Sequence, residues 1–119
     1  MAERLRPINY EATMKSELKV GDILQGMWHY SMHYPVWFRI VSVSNKTAKA
    51  EELMSKMVRP TDGGYGQQGY EVPDENRIYS TGHIIRKGDR GFETGSYARY
   101  NHFNLVKWDG KAILADHMD

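Results

Sequence analysis

VWFRIVSVS, residues 36–44, is the stretch that decides the fold. β-branched and aromatic residues fill it, with no glycine or proline to interrupt. Such a segment fits a pleated, half-buried surface and reads as a strand. Val36, Phe38 and Ile40 share one face with Ser42, while Trp37, Arg39, Val41 and Val43 share the other. Asn45-Lys46 follows as a hairpin turn signal. TAKAEELM, residues 47–54, then returns as a third strand with Ala48 and Ala50 on one side. AEELMSKM consists of good helix formers, so its end keeps a helix open as the alternative.

Upstream, LKVGDIL (residues 18–24) opens the ordered domain with a turn at Gly21-Asp22. Residues 23–30 read as the first strand. Ile23, Gln25, Met27 and His29 lie on one face, and Leu24, Gly26, Trp28 and Tyr30 on the other. SMHYP breaks it. Residues 1–17 form a polar, flexible arm with at most one helical turn near Glu11 to Ser16. That arm has no apolar stretch, so a secretion signal is not expected there and a cytoplasmic location is.

Downstream, RPTDGGYGQQGYEVPDENR (residues 59–77) holds four glycines and two prolines, which predicts one long loop. IYSTGHIIR and GFETGSYARY are strands joined at KGDRG. FNLVKWDGKAIL (residues 103–114) signals a hairpin, because Asp109-Gly110 suits a type I′ turn. The expected core is Trp28, Phe38 and Trp108. Five to seven short strands make an all-β domain, residues 18–119. The predicted form is a small SH3-like barrel or a compact antiparallel sheet with one long Gly/Pro-rich loop.

Composition narrows function by exclusion. The 119 residues suit one domain, and 40% hydrophobic with 26% charged content is ordinary for a globular chain. Sixteen basic and fifteen acidic residues nearly cancel, which argues against a strong nucleic-acid binder. Cysteine is absent, which removes disulfides, thiol nucleophiles and thiolate metal sites.

Three groups of residues are candidates for chemistry. Tyr30, Tyr34 and Trp37 flank a turn at Pro35 and, with Tyr65 and Tyr70 of the long loop, would make a protein-binding patch. Arg86, Lys87, Arg90, Tyr97 and Arg99 would make a basic, aromatic-studded face for nucleic acid if their strands align. His29 and His33 stand four apart, but the segment reads as strand, turn, strand and lacks a carboxylate between them, so no metal site is expected. No cofactor motif is present, since GGYGQQG lacks the Lys-Ser/Thr of a phosphate loop. STGH (residues 80–83) puts a serine near a histidine, a pairing that chance often supplies. Glu51 and Glu52 are adjacent, so on a strand they point apart, and paired-carboxylate chemistry would need Asp22 or Glu93.

VGDIL, the Trp28/Tyr30 pair, FRIVSV, TAKAEEL, SYARY and KWDGKAIL together resemble small proteins encoded by phages, prophages and plasmids. The resemblance implies a mobile-element origin and carries no catalytic residues. The expected function is therefore a non-enzymatic accessory protein that binds a host or phage macromolecule, such as an inhibitor of a bacterial defence system. A nucleic-acid-binding β-barrel and a small enzyme or histidine metal site are the alternatives.

Overall fold

The computed structural model describes residues 14–28, 32–60, 68–95 and 102–116. A four-residue helix, α1 (Met14–Glu17), precedes seven strands: β1 (Ile23–Trp28), β2 (Tyr34–Val43), β3 (Ala48–Pro60), β4 (Gln68–Gly88), β5 (Gly91–Thr94), β6 (Phe103–Lys107) and β7 (Ile113–Asp116). All pairings are antiparallel, in one seven-stranded sheet ordered β3-β2-β1-β6-β5-β4-β7. A further pairing joins β3 to β4, so the pairings of six strands return on themselves.

The core lies inside that circuit. Leu24, Val36, Phe38, Ile40, Ala48, Ala50, Ile85, Phe92 and Leu105 form one buried cluster, drawn from all six strands. Alternation puts these side chains on one surface of each strand. Bulk is matched across the ladders: Ile40 stands opposite Ala50, and Ile85 opposite Ala48. Met14 and Leu18, both buried, add to the same cluster. The Met14 amide donates to the Asn45 carbonyl at 3.0 Å, and Lys87 pairs with Glu17 at 2.6 Å. Residues 14–17 are thus part of the domain, which corrects the expected boundary of a flexible 1–17 arm. Two apolar anchors, Met14 and Leu18, outweigh the polar composition of the segment.

In β2 the predicted faces hold as far as Ile40. A register shift between Ile40 and Ser42 then reverses the alternation. Val43, assigned to the outer face by strict alternation, packs on the core, while Val41 and Ser42 are exposed. Before the shift, Pro35 to Phe38 are buried without a break. Trp37 is the reason. It is fully buried on the face away from the main cluster, opposite Leu53, with Trp108 edge-on at 5.4 Å. Its indole N–H donates to Ser55 Oγ. Burial of a ring this size stabilises by roughly 2–3 kcal/mol.

Other expectations change at the ribbon. The long loop expected at 59–77 gives way to strand at both ends: β3 runs to Pro60 and β4 starts at Gln68, and residues 61–67 lie outside the described residues. The glycine at 69 is a packing requirement, because a Cβ there would sit 2.7 Å from the Arg59 carbonyl and the Met57 sulfur. AEELMSKM is strand, with pairing to β4 overriding helix propensity. Asp109-Gly110 does turn, with Gly110 at φ 87° and the Lys111 amide donating to Asp109 Oδ1 at 2.9 Å. Yet β6 and β7 are not partners. β6 pairs with β1 and β5, whereas β7 leaves to pair with β4. The turns at Gly21-Asp22, Asn45-Lys46 and Asp89-Arg90 stand where the sequence puts them. Trp28 and Trp108, expected in the core, are only half-buried, and Trp37 takes the buried place.

Gly26 offers a direct check on the tightness of this packing. A Cβ at that position would meet Leu105 Cδ2 at 2.8 Å and the Asn104 carbonyl at 2.9 Å. Gly26→Ala is expected to lower stability by about 1–3 kcal/mol, the usual cost of overpacking, read as a lower urea midpoint.

Candidate functional site

Where β3 and β4 part company, the sheet holds a cavity. Opposite the run Leu53 to Met54, three extra residues of β4, Glu75 to Arg77, loop out between Asp74 and Ile78. The Asn76 amide donates to Asp74 Oδ1 at 3.1 Å and fixes that loop, and Arg39 reaches the Glu75 carbonyl at 3.0 Å. Beside this irregular pairing lies a space of about 640 Å³. Its wall is aromatic on one side, from Trp28, Tyr34 and Phe103, and carries Glu52 and Met54 of β3 and Glu71 and Tyr79 of β4.

The aromatic wall comes from strand pairing. Trp28 and Tyr34 are register partners across β1 and β2, and their rings stack at 6.0 Å and 16°. Phe103, at the start of β6, lies 6.2 Å from Trp28 and 6.0 Å from Phe38. Such ring pairs add about 0.5–1.5 kcal/mol beyond burial. Tyr79 is the exposed member, with 69% of its surface open, beside half-exposed Ile78.

Alternation separates the two adjacent glutamates. Glu51 turns outward and takes a two-pronged contact from Arg39 at 2.7–2.8 Å. Glu52 turns to the cavity and accepts from Ser80 Oγ at 3.2 Å. Ser80 Oγ also lies 2.7 Å from His83 Nε2, whose ring stands edge-on to Phe38 at 5.0 Å. The STGH pairing that chance could have supplied is therefore real in space, across a bulge with Gly82 at φ 82°. Burial raises the Glu52 carboxyl above the ordinary carboxylate range, partly offset by the Ser80 bond. Burial likewise lowers His83 below the ordinary imidazole value, so at neutral pH its 3.8 Å approach to Glu52 is not an ion pair. Tyr34 is raised by burial first, then by Glu52 and Tyr79.

The expected site residues are dispersed. Tyr34 lines the cavity. Trp37 is removed from any partner patch by its complete burial behind β2, which corrects that assignment. Tyr70 stands apart on the ribbon under the Arg59 guanidinium, 3.9 Å from its ring centre. Tyr30, Tyr65, Tyr97, Arg99 and His29 lie outside the described residues. Arg86, Lys87 and Arg90 are exposed, but Arg86 donates to the Gly95 carbonyl and Lys87 is held by Glu17. Arg86 and Lys87, being neighbours on a strand, also point to opposite faces. Glu52 shares the cavity lining with Glu71 and not with Asp22 or Glu93. Asp22 faces Lys107 at 3.8 Å, and Glu93 faces His102 at 3.6 Å. Among the described residues no group of three or more His, Asp or Glu is placed to hold a metal ion. No described helix is long and apolar enough to cross a membrane.

No family model, curated protein or solved structure matches this chain.

Burial disfavours the charged form of both groups. Glu52, raised in the folded chain, costs stability as pH climbs from the unfolded value of 4.5 through its higher folded value. His83, lowered in the folded chain, costs stability as pH drops from the unfolded value of 6.5 through its lower folded value. Glu52→Gln is therefore expected to gain in melting temperature relative to wild type as pH rises from 4 to 8. A difference that shrinks over that range would contradict the assignment.

Proposed function

We propose that the protein acts by binding, and that the cavity between β3 and β4 receives part of a partner protein. The observation that carries this reading is an open space of about 640 Å³ walled by Trp28, Tyr34 and Phe103 and edged by exposed Tyr79. That volume falls in the range of ligand sites, and tyrosine and tryptophan dominate the energetics of interfaces. Ile78, half-exposed next to Tyr79, extends the apolar contact beyond the mouth.

The arrangement of Ser80, His83 and Glu52 supports binding over turnover. In a nucleophilic triad the carboxylate holds one ring nitrogen and the hydroxyl the other. Here Ser80 and Glu52 both approach Nε2 of His83, at 2.7 and 3.8 Å. The carboxylate cannot orient the imidazole toward the serine from that side. The cavity wall is acidic where nucleic acid would require cations, and the described basic side chains at 86 and 87 are engaged within the chain. The resemblance to phage, prophage and plasmid proteins supplies the proposed setting: a bacterial cytoplasm, with a defence or replication protein as partner and inhibition as the outcome.

Affinity capture from a bacterial host lysate, followed by titration of the purified partner, tests the reading. Tyr79→Asp is expected to weaken the complex by about 2 kcal/mol or more, roughly thirtyfold in Kd. Arg90→Ala, in the exposed β4–β5 turn, should leave it unchanged. An unaltered Kd for Tyr79→Asp would place the partner elsewhere.

A further inference from the structure

We infer that Glu52, Ser80 and His83 form a proton relay, in which Ser80 passes a proton between the imidazole and the carboxyl that lines the cavity. The relay is a pH switch built into the β3–β4 pairing. It sets the charge of Glu52 whether or not a partner is bound.

The ladder brings the three groups together. Glu52 and Ser80 are register partners, and His83 stands opposite Ala50, one register shift further on. In a regular strand residues 80 and 83 would point to opposite faces. The bulge at Gly82, with φ 82°, turns both to one side. Ser80 Oγ then lies 3.2 Å from Glu52 Oε1 and 2.7 Å from His83 Nε2, while those two atoms are 3.8 Å apart. The hydroxyl is the short path between them.

Counting protons gives the direction. A hydroxyl has one proton to donate, and an ionised carboxylate only accepts. Ser80 donates to Glu52, so the 2.7 Å contact needs Nε2 to carry a proton and donate it to Ser80 Oγ. At neutral pH the chain therefore runs from Nε2–H through the Ser80 hydroxyl to the Glu52 carboxylate, and Nδ1 carries no proton. On acidification one proton enters at Nδ1. The Nε2–H bond breaks as its proton passes to Ser80 Oγ, and the hydroxyl's own proton passes to Glu52 Oε1. Imidazole and serine end neutral, the carboxyl ends protonated, and no heavy atom has to move.

Burial disfavours the charged forms of both Glu52 and His83, so this end state suits the site better than an imidazolium facing a carboxylate. The His83 side chain is 28% exposed and that of Glu52 18%, which gives the imidazole the better access to water. Among the described residues, the other titratable groups beside the relay are Tyr34 of β2 and Glu71 and Tyr79 of β4, all in the cavity lining with Glu52. β2 meets His83 with the uncharged ring of Phe38, and β6 meets the cavity with Phe103.

The test uses the whole protein, labelled with ¹⁵N and ¹³C and titrated from pH 8 to pH 4, which spans the ordinary ranges of both groups. The His83 ring nitrogens, identified by their loss in His83→Gln, report which nitrogen holds the proton. The Glu52 carboxyl carbon, identified by its loss in Glu52→Gln, reports ionisation. At pH 8 the proton is expected on Nε2. As pH falls the two nitrogens are expected to exchange roles at the same midpoint as the Glu52 signal shifts. Ser80→Ala should separate the two titrations, and Ser80→Thr, which keeps the hydroxyl, should restore their coincidence. A proton on Nδ1 at pH 8, an imidazolium formed while Glu52 stays ionised, or coincident titrations in Ser80→Ala would overturn the inference. The wild-type titration decides the matter even if a variant folds poorly. Because the free protein is measured, the outcome is separate from that of the partner-binding experiment.

Discussion

Pairing of β4 on both of its edges is the constraint on which the rest of this structure depends. The C-terminal end of β4 lies between the start of β3 and β5, and its N-terminal end lies between the end of β3 and β7. Without the β3–β4 ladder the other strands would form an open sheet with two long free edges, exposed to pairing with other chains. With it, the side chains of six strands converge on one cluster, and Met14 and Leu18 of the helical segment have a surface to cover. Burial of Phe38, Ile40, Ile85 and Phe92 follows from that topology more than from any single contact.

The same ladder produces the cavity by failing locally. Four register shifts fall along β3 and β4, and the largest ejects Glu75 to Arg77. A regular ribbon would have brought the two strands into unbroken contact and filled the space with cross-strand pairs. Instead Glu52 and Tyr79 flank a concavity whose far wall is the Trp28–Tyr34 stack. Irregular pairing next to a polar, partly buried cluster is a common way for a sheet to aim side chains at a site. Burial in that cluster disfavours the charged forms of Glu52 and His83.

Strands and most turns were legible in the sequence because period-two patterning and turn chemistry act locally. β2, the Asn45-Lys46 turn and the core role of Phe38 are examples. What local pattern cannot carry is pairing choice. Asp109-Gly110 turns as its residue types demand, but whether the next strand folds back on β6 or crosses to β4 depends on contacts some forty residues away in sequence. Glycine and proline in residues 59–77 were misleading for the same reason. Gly69 serves a close backbone approach inside a ribbon, and Pro73 sits in a strand. Trp37 is buried because the second face of β2 is also covered, with Leu53, Ser55 and Trp108 beside it, a long-range arrangement that period-two patterning does not carry. The site was mostly hidden. Tyr34 was visible as an aromatic beside Pro35, but Glu52, Glu71 and Tyr79 line one cavity beside the irregular β3–β4 pairing, which leaves no signature in composition.

The chain order of the ring has a consequence for how the protein comes into being. β1 is the first strand to leave the ribosome, yet one of its neighbours, β6, is more than eighty residues further on, with Leu24 facing Lys107. Until that segment emerges, β1, β2 and β3 exist as a meander whose apolar surface has no lid. Loop closure over so long a span is entropically slow, so maturation is governed by the arrival of the last third of the chain rather than by the ready formation of the first hairpin. A truncated product ending before β6 would leave β1 with one partner and its nascent apolar side in water, and would be a target for chaperones and proteases.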